Sequence, residues 1–527
     1  MDASSPNRGT IVIGAGMGGL AAALRLAGAG HDVEVLEAAP GPGGKLRAVP
    51  SDAGPVDTGP TVLTLLPYFQ GLFADSGLDF ASYVTVRRQH LLARHWWPDG
   101  SSLDLFDDTD ASADAIRAFA GAGAEDEFRR FTKDTERLFH AFESPVMQAP
   151  ELKGTRVAAA ALTRPAVLPW LRPGRTLWQA LSKRFSDPRL VQLFARYATY
   201  VGGSPFQSPA LLALIWQAEQ AGVWCVDGGM TALARGIERA ATDKGAGFHY
   251  NAPVARLERD GRGFRVHLQD GSTRTAGQVL FNGDPGALAR GLLGEAVTDA
   301  VAPKATTPRA LSAWVWAFAA TPHGRDLAHH NVFFNTHYRR EFRAADLGRM
   351  PDDAALYVCA QDRGDGKTPP DGSLERFEII LNGAACDGSP CGTEDQDACR
   401  IQTFQMLGDR GLTFSPVPER AALTTPSDFA RAHPGSDGSL YGRSPHGMTA
   451  SFQRPTVKSL IPGLYLAGGG VHPGAGLPMA LTSGRRAAEA ILNDLASTSR
   501  SRRTDTRGGM SMGSRMTEPA VSRSLPS

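Results

Sequence analysis

The sequence predicts an α/β protein in which a doubly wound, dinucleotide-binding layer is interrupted by a second, mixed α+β domain. Three observations carry this. Residues 9–37 read as one strand–turn–helix–strand unit with glycines at 14, 16 and 19. Residues 464–495 again show a strand, a glycine-rich turn and a helix. The stretch between them is far too long for a connection, since domains run to roughly 100–200 residues.

In the first unit, Thr10-Ile11-Val12-Ile13 is a short buried-type strand and Gly14 to Gly19 is the turn. Leu20, Ala23, Leu24 and Ala27 then recur at helical spacing. Gly30 closes that helix and Asp32 to Glu37 is the second strand. Residues near 111–245 read as mostly helical, for instance Glu125 to Phe142 and Ser208 to Gln220. Residues 248–282 are a strand-rich return that includes Val254 to Leu257, and 311–460 mixes strands and helices. Leu481, Ala488, Ile491, Leu492 and Leu495 form one apolar stripe on the last helix. From Ser497 onward apolar periodicity is lost and a disordered tail is expected. Removing its six arginines and two acids (Asp505, Glu518) shifts the net charge from +1 to −3.

Lys+Arg 55 against Asp+Glu 54 argues against a nucleic-acid partner, which calls for a basic excess. With 42% hydrophobic and 21% charged residues, wholesale disorder is excluded. Five cysteines cannot scaffold so long a chain and fit a reducing compartment. No run approaches the roughly 18 apolar residues of a spanning helix, and Met1 to Arg8 is too polar for a signal peptide. A cytoplasmic protein, with contact to a membrane surface still open, is the expectation.

Gly14-x-Gly16-x-x-Gly19 between a strand and a helix is the Rossmann-type dinucleotide fingerprint. Gly14 permits the tight turn, Gly16 lets backbone approach a pyrophosphate, and Gly19 lets helix and strand pack closely. Gly18 stands in the same turn. Glu37, at the end of the second strand, is placed to accept hydrogen bonds from a ribose. Gly43-Gly44-Lys45 and Asp57-Thr58-Gly59-Pro60-Thr61 follow. At the far end, Gly463 to Met479 runs strand, turn and helix, including Gly468-Gly469-Gly470 and Pro478-Met479. A helix beginning near Pro478 would aim its positive dipole into the cofactor site and favour negative charge there.

These segments resemble the FAD-binding amine oxidase and phytoene desaturase superfamily. The run LYLAGGGVHPGAGLPMALTSG, with Tyr441 to Gly447 and Ser451 to Pro455, is similar to the carotenoid desaturase family. Its closest likeness is to the branch, known from purple photosynthetic bacteria, that acts on the 3,4 bond of acyclic 1-hydroxycarotenoids. The resemblance covers most of residues 9–495. It implies a Rossmann-type FAD domain built from residues 9–75, 245–300 and 455–496, with 76–244 and 301–454 forming the substrate domain and 497–527 a tail. It also implies FAD held by Gly14, Gly16, Gly18, Gly19, Glu37, Gly43, Gly44, Lys45, Gly59, Pro60, Thr61, Val254, Gly468, Gly469 and Met479. The implied reaction takes a hydride to flavin and a proton to a base or solvent, and oxygen or a quinone reoxidises the flavin.

A lipid substrate implies docking on the cytoplasmic face of the inner membrane. Val157 to Leu171, with Trp170 between Arg156 and Arg172, is the candidate surface, against the alternative of an ordinary buried helix and loop. The catalytic base stays open. His472 reads more readily as a structural histidine than as a proton acceptor, and Glu219 and Asp227 read equally as cavity lining or solvated element ends. Trp96-Trp97 and Phe333-Phe334 fit core packing better than a carotenoid tunnel. Cys386-x4-Cys391-x7-Cys399 lacks a fourth ligand and a nearby His, so no metal is expected there. The rival activities are a phytoene-type desaturase, a carotene isomerase using reduced FAD, an amine or protoporphyrinogen oxidase, and a non-catalytic binding protein on the same fold.

Overall fold

The computed structural model describes residues 9–261, 263–364, 366–386 and 396–505. Five parallel strands form the first sheet, in the order Leu464–Leu466, Gln278–Phe281, Thr10–Ile13, Val33–Leu36, Gly247–His249. All are short, and all but the half-buried edge strand Gly247–His249 are largely buried. Three segments hundreds of residues apart thus share one sheet. Helix Met17–Gly28 packs against helices Met230–Asp243 and Leu477–Asp505. The sequence reading assigns 230–243 to the substrate domain, yet Met230, Leu233, Ala234, Ile237 and Ala241 bury into the core of the parallel layer. An antiparallel meander follows, Val254–Asp260, Gly263–Leu268 and Thr273–Ala276.

The second unit is an eight-stranded sheet in the path 413–415, 312–323, 375–383, 356–360, 330–333, 91–96, 102–106, with 423–424 beside 312–323. Alternation assigns its faces. Trp314, Trp316, Phe318, Phe333, Val358, Phe377 and Ile379 pack on one side under helix Gln396–Asp409. Val332, Tyr357 and Cys359 face the other way, into a layer of helices and turns between 109 and 220. Trp97 and Phe334 stack in that core with ring centroids 5.0 Å apart. Trp96 stacks on Phe333 on the opposite face.

Two expectations are corrected. Ser497 does not begin the tail, because the last helix runs to Asp505; the sequence has no Gly or Pro between Gly484 and Gly508 to stop it earlier. Residues 506–527 lie outside the described residues. Trp170 is not a membrane anchor: it is buried, with the Arg184 guanidinium 3.7 Å above its ring. Leu162 and Leu168 of the same stretch are instead 76% and 44% exposed, among exposed Arg156, Arg164 and Arg172. Among the described residues, no helix is long and apolar enough to cross a membrane.

Candidate functional site

The first helix begins at Met17 with Gly16 as its N-cap, and no side chain caps it, so its first N–H groups point outward together. Gly14 makes the turn at φ +99°, and its carbonyl accepts from Asn282 Nδ2 at 3.1 Å. A Cβ on Gly19 would overlap that carbonyl oxygen, which is why Gly is required there. The Glu37 carboxylate accepts from the Ala15 N–H at 2.6 Å and the Ala39 N–H at 2.8 Å. The Ala252 N–H reaches the Glu37 carbonyl at 2.9 Å, so half-buried Val254 starts its strand close to Glu37.

The Gly43 N–H donates to Ala15 O at 2.9 Å. Gly44 takes φ +62°, and a Cβ there would meet Gly16 Cα at 3.1 Å. Gly18 lies where the C-terminal turn touches the first helix: a Cβ on it would stand 2.6 Å from Asn282 Oδ1 and 2.7 Å from Gly468 N. Asn282 Oδ1 is buried without a hydrogen-bond partner. Open helix N–H groups, a cradle of glycines and an orphaned amide oxygen, with a carboxylate at the ribose position, fit an FAD adenosine and pyrophosphate.

Lys45 sits elsewhere than at an open phosphate surface. Its Nζ donates to Leu440 O at 2.5 Å; burial drops its pKa to about 8 against the raising effect of Asp284. The Gly59 N–H donates to Glu378 Oε1 at 2.6 Å, next to Pro60 and Thr61. At the third segment, Gly468 takes φ +103° and its N–H donates to Ser483 Oγ at 2.8 Å. Arg454 fastens this turn. Its guanidinium donates to the carbonyls of Gly469 (2.9 Å), Tyr441 (3.0 Å) and Arg443 (2.6 Å), and burial lowers its pKa to about 10. Half-buried Met479 lies in the first turn of helix Leu477–Asp505. His472 is structural: its N–H donates to Pro455 O and its Nε2 lies 3.1 Å from Ala149 O.

Beside these segments, the inner face of the eight-stranded sheet carries buried polar groups. The Tyr357 hydroxyl donates to Thr61 Oγ1 at 2.8 Å and lies 2.6 Å from His330 Nδ1. Burial holds His330 well below the usual imidazole range, and so neutral. Across the gap, Tyr197 and Tyr200 donate to the two oxygens of Glu219 at 2.9 and 2.8 Å. Arg196 donates to the Tyr200 hydroxyl at 3.2 Å and lies over the Tyr357 ring. Glu219 is therefore no solvated helix end: it is buried, and burial raises its pKa. Asp227 does lie near solvent, paired with Arg87 at 2.8 Å. Burial, aided by Asp57, raises Glu378 to about 8.

The sequence reading missed Asn282, Glu378, Tyr357, His330 and Arg196. Only Asn282 left a signal, since it follows strand Gln278–Phe281 as Gly14 follows strand Thr10–Ile13. In the Cys386/Cys391/Cys399 set, Cys386 is disulfide-bonded, an exception to the reducing-compartment expectation. Cys399 is buried and Cys391 lies outside the described residues.

Residues 17–492 match the family model described as flavin-containing amine oxidoreductase. Hydroxyneurosporene desaturase of Cereibacter sphaeroides is 53% identical over 93% of this chain and 98% of its own length. The protein of the same name from Rubrivivax gelatinosus is 42% identical over 96% and 97%. Among solved structures, cyclohexylamine oxidase from Brevibacterium oxydans superposes with a TM-score of 0.56 at 16% identity, over 93% of this chain and 100% of that one.

Proposed function

The chain belongs to the flavin-containing amine oxidoreductase family, and within it we propose an FAD-dependent carotenoid desaturase that introduces the 3,4 double bond into acyclic 1-hydroxycarotenoids such as 1-hydroxyneurosporene. The observation that carries this is the 53% identity, over almost the whole of both chains, to a hydroxyneurosporene desaturase.

Gly14, Gly16, Gly18, Gly19, Gly43, Gly44 and the open helix end hold the FAD pyrophosphate, Glu37 the ribose, and Val254 lies at the adenine side. Gly59, Pro60, Thr61, Gly468, Gly469 and Met479 border the ring, with Lys45 buried behind them. Bound FAD supplies the two-electron acceptor for hydride removal. Carbon 4 adjoins the polyene, so hydride loss from it leaves an allylic cation whose carbon-3 proton is acidic. A strong base is not needed, and neutral groups such as the Thr61 and Tyr357 hydroxyls are adequate surroundings. The glycine-lined interface and the packed layers beside it keep bulk water from that cation.

Three discontinuous segments form the FAD domain, and the eight-stranded sheet with its helical layer forms the substrate domain. The protein acts as a peripheral protein on the cytoplasmic face of the inner membrane. Leu162 and Leu168, with exposed Arg156, Arg164 and Arg172 in the same stretch of sequence, dock on the lipid that carries the substrate. Oxygen or a quinone takes the electrons.

The test is anaerobic mixing of FAD-loaded protein with liposomes carrying 1-hydroxyneurosporene or neurosporene. Flavin bleaching with a red-shifted polyene, for the hydroxylated substrate alone, is the expected result. Equal response to both makes the protein a general desaturase, and silence with both removes the desaturase reading.

A further inference from the structure

Two thiols and two imidazoles from three separate backbone segments converge behind Thr61, and no step of the proposed reaction uses them. Cys225 comes from strand Trp224–Val226, His329 and His330 from the start of one sheet strand, and Cys359 from the strand beside it, directly opposite His330. His329 Nε2 lies 3.6 Å from Cys225 Sγ and 3.6 Å from Cys359 Sγ. Donor atoms of His329, His330 and Cys359 all lie within 4.8 Å of one another. A tetrahedral ion with bonds of about 2.3 Å to sulfur and about 2.1 Å to nitrogen holds such ligands about 3.6 Å apart.

We propose that His329, His330 and Cys359, with Cys225 drawn in from beside His329 as the fourth ligand, form a tetrahedral binding site for a divalent transition metal of the zinc class. Two thiolates balance the charge of the ion, and a sulfur–imidazole donor set excludes magnesium and calcium. The supporting shell is already built. His329 Nδ1 is 2.6 Å from the Arg363 carbonyl, which fixes the proton on Nδ1 and leaves the Nε2 lone pair for the metal. His330 Nδ1 is held by the Tyr357 hydroxyl, and the Gln89 amide donates to Cys225 Sγ. A cavity of about 520 Å³, whose walls include Cys225, His329 and Cys359, gives the ion a way in. The bound ion ties strand Trp224–Val226 to the eight-stranded sheet at the edge of the flavin-bordering segment.

The experiment strips FAD-loaded, full-length protein with a chelator and titrates it with Co²⁺ as the probe. One equivalent per chain is expected, with the intense d–d bands of tetrahedral cobalt in the red, clear of flavin absorption. Cys225→Ser and Cys359→Ser each abolish the bands, and His329→Gln weakens cobalt binding at least tenfold. Cys399→Ser, in a different core, leaves binding unchanged. Cys225 is only half-buried, so its variant tests the site with the least disturbance to folding. Absence of the bands in wild-type protein that retains FAD and an unchanged circular dichroism spectrum overturns the site. Their survival in the Cys225→Ser/Cys359→Ser double variant overturns it equally. Neither readout needs turnover, so the result stands apart from the desaturase test.

Discussion

Replacing Gly18 with Ala tests whether the three distant segments close on the cofactor as described. Gly18 is in a helix, where Ala is favoured over Gly by about 1 kcal/mol. Local propensity alone therefore expects a stabilised protein. The new Cβ, however, would stand 2.6 Å from Asn282 Oδ1, 2.7 Å from Gly468 N and 3.1 Å from Gly468 Cα. Backbone cannot give way as a flexible side-chain end can, and overpacking of this kind costs about 1–3 kcal/mol. The C-terminal turn must retreat from the first helix, and the cost falls on the arrangement that encloses FAD. At 1.4 kcal/mol per factor of ten, the FAD dissociation constant should rise about 5- to 150-fold. Gly41→Ala is the control, because nothing lies within 4 Å of its Cβ position and its φ is not left-handed. Fluorescence titration of apoprotein with FAD measures both variants. If Gly18→Ala binds FAD as tightly as Gly41→Ala, the close approach of Gly468 to the first helix is wrong.

Glu378 gives a pH signature. Its folded pKa is raised from 4.5 to about 8, so between those values the folded state holds a proton the unfolded chain has lost. Stability therefore falls as pH rises through that window, and Glu378→Gln should flatten the slope in denaturant titrations at several pH values. Glu219→Ala strands the Tyr197 and Tyr200 hydroxyls, and should cost about 1–3 kcal/mol for each by chemical denaturation. Leu162→Ser with Leu168→Ser should lower liposome co-sedimentation at least about tenfold, since burying one Leu contributes about 1.5–3 kcal/mol. FAD content and melting temperature should not change, because both side chains are exposed in the free protein.

What was legible in the sequence follows from local rules. Gly14, Gly43, Gly44, Gly59 and Gly468 all adopt positive φ, where a side chain strains the backbone wherever it occurs. Such positions announce themselves one at a time, as does the strand–turn–helix order around them. The sequence leaves Trp170 and Glu219 open for one shared reason. An aromatic beside arginines, or an acid at a helix end, has the same local sequence whether it meets water or another layer. The core around Phe131 and the Arg184 guanidinium buries the first, and the Tyr197 and Tyr200 hydroxyls receive the second.

The sequence by itself determined the dinucleotide turn, the carboxylate at Glu37 and the glycine-rich segments, because backbone conformation and strand periodicity are properties of neighbouring residues. Tertiary structure alone decided that Asn282 lies under the glycine turn, that Arg454 fastens the C-terminal turn, and that Glu378 faces Gly59. It also decided that Cys225 and Cys359 both meet His329. Those contacts join residues from 15 to more than 300 positions apart. Their chemistry arises from burial and convergence, which sheet register and layer packing set and no local pattern encodes.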